Sequence, residues 1–580
     1  MKRMKHIYTV AIGVLAAAMM NSCDLEEYNP SGNTGDIIWS TPEGYETLVN
    51  SCYQNQRAWY GKMDGVLASE VGTDLWFSQQ KDGYAKEFVK YENFLPTTGN
   101  PNKALWPILY EALNLCNAGI ERVDDVDYTS EEEKNAKVAE VHFLRAFYLW
   151  HIVETWGGVY LPLTETKDVI LEARRSSVEE FYDVIISDLQ FAVDNLPIEQ
   201  GDEYTRASKK SAMGMLARAY LSRAYYTSGS EAQNYFTLAR DIAREIIDNQ
   251  VTLKVSLYQD YADMWNPLNN KKNKEALYVV GNSVNDPLLN LDLNANRLHM
   301  YFLTTYNAKP GMNVSLEYGY EKERRTMPTL FLLDLFDETK DTRYEASFQE
   351  VWLANDSTKI PKWTTREITE LGLDPSLKGK RKFSVGDTAL YITKKSIQNE
   401  SDHLYITIDR DSVYNTAGNG AIKLGTDYVP LIKHLDPITR PTAATVPGFL
   451  DIIIIRLAEI YLIAAEAEFQ LGNTDAAAGY INVLRTRAAR KTPVDYTADM
   501  QISGTDVSLD FILDERGREL CGEHMRWFDL KRTRTLIDRV QKHNPDIIYL
   551  QEHHYLRPVP QTEIDALLNG EEFGQNPGYF

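Results

Sequence analysis

Leu457-Ala458-Glu459-Ile460-Tyr461-Leu462 carries the pattern that decides the fold. Related residue types stand in the same order at Leu144-Arg145-Ala146-Phe147-Tyr148-Leu149 and at Leu216-Ala217-Arg218-Ala219-Tyr220-Leu221. Each copy lies in a stretch with apolar residues at helical spacing: 138–156, 211–226 and 457–471. Residues 178–196, 236–247 and 476–489 show the same spacing. After the second and third copies come a small residue (Ala224, Ala465) and a turn (Ser228-Gly229, Gly472-Asn473). The helix that follows carries small residues on its packing face, Ala239 and Ala243 or Ala478 and Ala489. Small residues at fixed offsets let two helices approach closely, which is the logic of tetratricopeptide-like hairpins. The pattern predicts a mainly α fold built on a tetratricopeptide-like repeat scaffold. About 200 residues separate the second copy from the third, so the repeats read as an interrupted array.

The intervening residues 251–447 have another character. They are rich in Asn, Asp, Gly and Pro, with short β-prone runs at 276–280 and 404–408. This predicts an irregular α+β lobe inserted between repeats. Long loops held by a rigid scaffold are where binding groups tend to sit. The expected division is a leader over 1–22, a helical region over 23–250, the lobe over 251–447 and a helical region over 448–580.

Lys2, Arg3 and Lys5 precede the uncharged stretch 7–20, the build of a secretory signal and too short for a comfortable membrane span. The stretch ends in Asn21-Ser22-Cys23, then Asp24, Glu26 and Glu27. A Cys in this place resembles the lipobox of a bacterial lipoprotein, although Met20 and Asn21 stand where Leu and a small residue are usual. Cys23 is therefore the expected lipidation site, giving a chain anchored to a membrane rather than spanning it. The alternative is an ordinary signal peptide with Cys23 incidental. Cys52, Cys116 and Cys521 fit no metal or redox spacing and read as small buried residues.

Composition excludes several classes. Of 580 residues, 43% are hydrophobic and 25% charged, as in ordinary globular proteins. The net charge is −22, and loss of the three leader cations makes it −25. Such a surface repels phosphate, which argues against broad nucleic-acid binding. The sequence has no G-x-S-x-G elbow, P-loop, H-E-x-x-H or dinucleotide fingerprint. His553-His554 lacks neighbouring ligands for zinc. Asn290, Asp292, Asn294 and Asn296 alternate as in a calcium loop, but the turn Gly and terminal Glu are missing. No metal, cofactor or catalytic residue is predicted. Carboxylate pairs such as Asp124-Asp125 leave a secreted glycosidase as a remote alternative.

Four segments together carry a family resemblance. Phe143 to Leu149 runs on to Trp156-Gly157-Gly158-Val159 and Pro162-Leu163. Arg456 to Ala467 is followed by Ile481-Asn482 and Leu484-Arg485. Asp514-Glu515-Arg516 leads through Arg518-Glu519-Leu520 to Arg526-Trp527-Phe528-Asp529-Leu530-Lys531-Arg532. Pro558-Val559-Pro560 closes on Gln575-Asn576-Pro577-Gly578-Tyr579. In this order, behind a lipoprotein-like start, they resemble the SusD/RagB family of nutrient-binding outer-membrane lipoproteins of Bacteroidetes. The resemblance covers roughly 24–250 and 450–580 and is weak in the lobe.

The resemblance implies a cell-surface protein that binds oligosaccharide or polysaccharide and delivers it, without catalysis, to a SusC-like TonB-dependent transporter. In the RagB branch the ligand is a peptide. It also implies that binding residues come from the loop after the first long helix and from the lobe. Aromatic rings stack on the C–H face of a sugar while polar groups bond its hydroxyls. The candidates are therefore Trp76 first, with Asp74 and Gln79 as polar neighbours, then Tyr84, and from the lobe Tyr301, Tyr306, Tyr320 and Trp352. Tyr318 is a further ring in the same tract. Read on their own residues, Arg145, Arg516 and Arg526 are expected to ion-pair with acids such as Glu515, Glu519 and Asp529 and hold the helices in register.

Overall fold

The computed structural model describes residues 38–78, 86–289, 296–320, 326–398 and 403–579. Cys23 with the leader, Gln79 and Tyr84 lie outside these residues. The main helices are α1 (Pro42–Gln54), α2 (Asn100–Arg122), α3 (Glu131–Trp156), α4 (Val178–Asn195), α5 (Lys209–Ala224) and α6 (Gly229–Asp248). After the lobe come α7 (Leu457–Gln470), α8 (Thr474–Ala488), α9 (Leu509–Leu520) and α10 (Arg526–Arg532). Their starts follow capping chemistry. Ser130 accepts a hydrogen bond from Glu133 N, behind three first-turn glutamates that suit the positive end of α3. Ser177 and Glu180 form a capping box on α4.

α3 is the central helix. From Phe143 to its end it is buried on every side, and Phe143, Leu144, Phe147, Tyr148 and Leu149 have no exposed surface. The repeat tyrosines Tyr148, Tyr220 and Tyr461 are all buried between helices, as their spacing predicts. Successive helices from α1 to α7 pack in chain order, and α7 then packs on α8 and α9. The expectation of an interrupted array is thereby corrected. α6 packs directly on α7 although some 200 residues separate them, so the array is continuous in space.

The strands are β1 (Trp76–Phe77), β2 (Ala276–Val280), β3 (Met327–Pro328), β4 (Val351–Leu353), β5 (Thr388–Ile392), β6 (Ile406–Ile408) and β7 (Ile452–Arg456). β2 pairs antiparallel with β7, with Val280 opposite Ile452 and Ala276 opposite Arg456. This ladder joins the strand leading into the lobe to the strand leading out. Four consecutive isoleucines, β-branched and buried, make β7 a strand up to the first residue of α7. Within the lobe, β4 pairs antiparallel with β5, and β5 pairs parallel with β6.

A buried ionic centre locks lobe to scaffold. Arg456, at the end of β7, donates to Glu275 and Glu519, both at 2.8 Å, and to Glu523 at 2.7 Å. Arg343 from the lobe reaches Glu515 at 2.8 Å and Glu519 at 3.0 Å on α9. Lys433, also from the lobe, reaches Glu523 at 2.9 Å. Burial alone would raise the Glu519 carboxyl, but Arg487, Arg456 and Arg343 hold it well below the usual carboxylate range. The other expected ion pairs form at Arg145–Asp188 and Arg516–Asp529, both 2.7 Å. Cys52, Cys116 and Cys521 are buried free thiols.

Candidate functional site

The segment after α1 and its short successors meets the lobe through a two-stranded ladder. Trp76 of β1 lies opposite Pro328 of β3, and Phe77 opposite Met327. Thr329 extends the contact, its N–H to the Leu75 carbonyl at 2.9 Å and its hydroxyl to the Asp74 carbonyl at 2.8 Å. Asn544 from the C-terminal region donates to the Thr73 carbonyl at 2.6 Å. Tyr414 donates to the Pro328 carbonyl at 2.8 Å. Segments far apart in sequence thus converge on the ladder, including the two regions that sequence reasoning chose.

The chosen side chains mostly serve as core there. Trp76 has no exposed surface; its ring meets Phe302 edge-on with centroids 5.2 Å apart. Asp74 is equally buried and accepts from Arg526 at 2.6 Å and Arg539 at 2.8 Å. Burial would raise its pKa, but the two guanidinium groups outweigh that and hold it at about 2. Tyr301, Tyr306 and Trp352 are buried too. Tyr306 stacks with Trp352 at 6.4 Å, meets Tyr318 edge-on and donates its hydroxyl to the Gly319 carbonyl. A ring with covered faces offers no platform for a sugar, so the expectation of exposed rings is corrected at these positions. Asp74 is a structural anchor for the same reason. Tyr320 keeps partial exposure.

Other rings escaped the sequence reading. Phe331, half-buried, stacks with the His543 imidazole at 3.5 Å between centroids. Burial, with Arg539 and Lys542 nearby, lowers His543 to about 4 against the pull of Asp74, so the ring is neutral at pH 7. The segment beyond Asn544 carries Ile548 at 73% and Tyr549 at 42% exposure. Tyr549 lies outside any helical period, which is the signal that would have found it. Elsewhere, Tyr225, Tyr226 and Tyr555 line a cavity of about 190 Å³.

Among the described residues no group of His, Cys, Asp and Glu is arranged to hold a metal ion. Of the alternating Asn/Asp run, Asn290, Asp292 and Asn294 lie outside the described residues. Asn296 is buried and spends its amide on the Leu450 carbonyl at 3.0 Å. His554 is buried as well, accepting from Gln551 N at 2.9 Å.

Residues 300–579 match a family model described as "SusD family", and residues 35–221 match one described as "Starch-binding associating with outer membrane". The chain belongs to the SusD family. The first match runs through most of the lobe, where motifs were weak. "SusD-like protein P2" of Formosa agariphila is 24% identical and aligns over 99% of each chain. "Starch-binding protein SusD" of Bacteroides thetaiotaomicron is 22% identical over 79% of this chain and 75% of that one. Among solved structures, a "Laminarin binding SusD-like protein" superposes with TM-score 0.64 at 19% identity, covering 93% of this chain and 100% of the other. A SusD superfamily protein from Parabacteroides distasonis superposes with TM-score 0.66 at 20% identity, covering 93% and 99%.

Proposed function

We propose that the protein is a cell-surface glycan-binding lipoprotein, anchored in the outer membrane through Cys23, that hands captured saccharide to a SusC-like TonB-dependent transporter. Family membership carries this reading. It is supported by relatives whose names record binding of starch and laminarin and by a family description that speaks of association with the outer membrane. Tyr549 and Tyr320, which keep exposed surface, are the rings assigned to stacking on a sugar face. The fold serves as a binding scaffold and performs no reaction.

Affinity electrophoresis of the full chain against a panel of polysaccharides tests the reading. Retardation by at least one glycan is expected, weakened by Tyr549→Ala and kept by Trp76→Phe. Migration unchanged by every glycan would overturn it. Co-purification with the transporter from outer-membrane extracts, lost on Cys23→Ala, tests delivery.

A further inference from the structure

Two cavities share Tyr204 in their linings, beside β2, and neither is lined by a residue of β1 or β3. One, of about 180 Å³, is lined by Tyr204, Ser208, Lys210, Lys254, Lys272 and Lys274. The other, of about 100 Å³, is lined by Gln56, Arg57, Arg206 and Tyr204 among others. Tyr204 is fixed between them by donating to Asp451 at 2.5 Å.

Two buried donor atoms in these linings have no partner within the protein. Gln56 is 1% exposed and Arg206 7% exposed, yet Gln56 Nε2 and Arg206 Nη2 are buried without a hydrogen-bond partner. Such atoms are costly unless something accepts from them. Arg57 is buried and donates only to backbone, the Gly281 carbonyl at 2.8 Å and the Tyr53 carbonyl at 3.5 Å. Lys210 donates to the Lys254 carbonyl at 3.4 Å, and Lys274 lies over the Tyr258 ring at 4.3 Å. Among the described residues none of these three cations has a carboxylate partner, in a chain with 22 surplus acids. The acids nearby are accounted for. Glu140 and Glu46 each hold Arg206 at 2.7 Å, which leaves only its Nη2 free, Glu199 holds Lys254, Asp202 holds Lys272 at 2.9 Å, Asp451 accepts from Lys271 and Tyr204, and Asp286 is exposed at the rim. Burial, with Lys254 beside it, pulls Lys210 below the usual lysine range against the pull of Glu199, and a bound anion would reverse that.

We infer that these paired cavities bind an oxyanion carried on a sugar, a uronate carboxylate or a sulfate ester, so that the captured glycan is acidic. The inference rests on the glycan-binding reading and narrows it. Buried guanidinium and amide donors suit an oxyanion's several acceptors, and the lysines supply the charge.

Calorimetry of the full chain with oligogalacturonate, a sulfated galactan oligomer and neutral laminarin oligomers tests it. At least one acidic oligomer is expected to bind, more weakly as NaCl rises. Lys210→Gln with Lys274→Gln should weaken it at least tenfold, leaving laminarin unaffected. Lys274→Gln alone, at an exposed position, should give a smaller loss in the same direction without touching the fold. Which acidic oligomer binds tells carboxylate from sulfate. Acidic oligomers that fail to bind, or that bind the double variant equally well, overturn the inference. Neutral binding without acidic binding overturns it alone and spares the broader reading. Acidic binding lost in the variants, with no neutral binding, sustains it and removes the ring face from that reading. No binding at all overturns both.

Discussion

Two buried junctions hold the lobe against the scaffold, and they are built from opposite materials. Around β1 the junction is apolar: Trp76 packs against Phe302, and β1 pairs with Met327 and Pro328 of β3. Around β7 it is ionic: Arg343 and Lys433 of the lobe reach Glu515, Glu519 and Glu523 of the scaffold. Rings gain from any apolar neighbour, so they supply burial with little preference for partner. A buried charge tolerates only its own counter-charge at hydrogen-bond distance, so it decides which loop meets which helix. The contrast shows that aromatic abundance in this chain marks the core.

The comparison can be broken most directly at Glu519. Glu519→Gln leaves Arg456, Arg487 and Arg343 facing one carboxylate fewer and should cost about 3–5 kcal/mol in denaturant unfolding. A loss under about 1 kcal/mol would mean that the charges merely fill space. Trp76→Ala should come close behind, at about 3–4 kcal/mol, from the cavity it leaves. If Trp76→Ala instead kept its melting temperature and lost glycan binding, the ring would be a ligand platform after all.

Glu70 sharpens the contrast because it is a buried acid kept without a counter-ion. One oxygen accepts from Met525 N at 2.9 Å and the other has no partner. Burial outweighs the backbone donors and pushes its pKa up to about 8. In the unfolded chain the group ionises near its ordinary value of about 4.3. Between those values the folded state holds a proton that the unfolded state has lost, so this contribution to stability falls as pH rises towards 8. Glu70→Gln should therefore raise the melting temperature at about pH 8 by more than at about pH 5, and an equal shift at both would refute the assignment. The smallest effect belongs to Tyr306→Phe, which leaves the Gly319 carbonyl without its donor and should cost about 1 kcal/mol.

Sequence reasoning read the scaffold well because helical burial has a period. The spacing at 457–471 and 178–196 became α7 and α4 to within a residue or two. The strand predicted at 276–280 matches β2. The contact of α6 with α7 was illegible because it joins residues some 200 apart, and spacing records only local order. Ring exposure was illegible for another reason: a Trp in a buried two-residue strand and a Trp on a surface loop have the same neighbours in sequence. The donors at Arg57, Arg206, Lys210 and Lys274 are scattered along more than 200 residues, and only folding assembles them.

The pairing of β2 with β7 has an evolutionary consequence. Directly opposed Cα atoms in an antiparallel ladder are about 5 Å apart, so everything from Gly281 to Asp451 departs from and returns to nearly one point. Insertions there lengthen a loop whose ends are already closed, and each doubling costs only about 0.6 kcal/mol. The lobe is in effect an exchangeable cartridge. A replacement of another length could seat on the same ladder, provided that it carried a strand to pair with β1 and cations in the places of Arg343 and Lys433 to face the waiting glutamates.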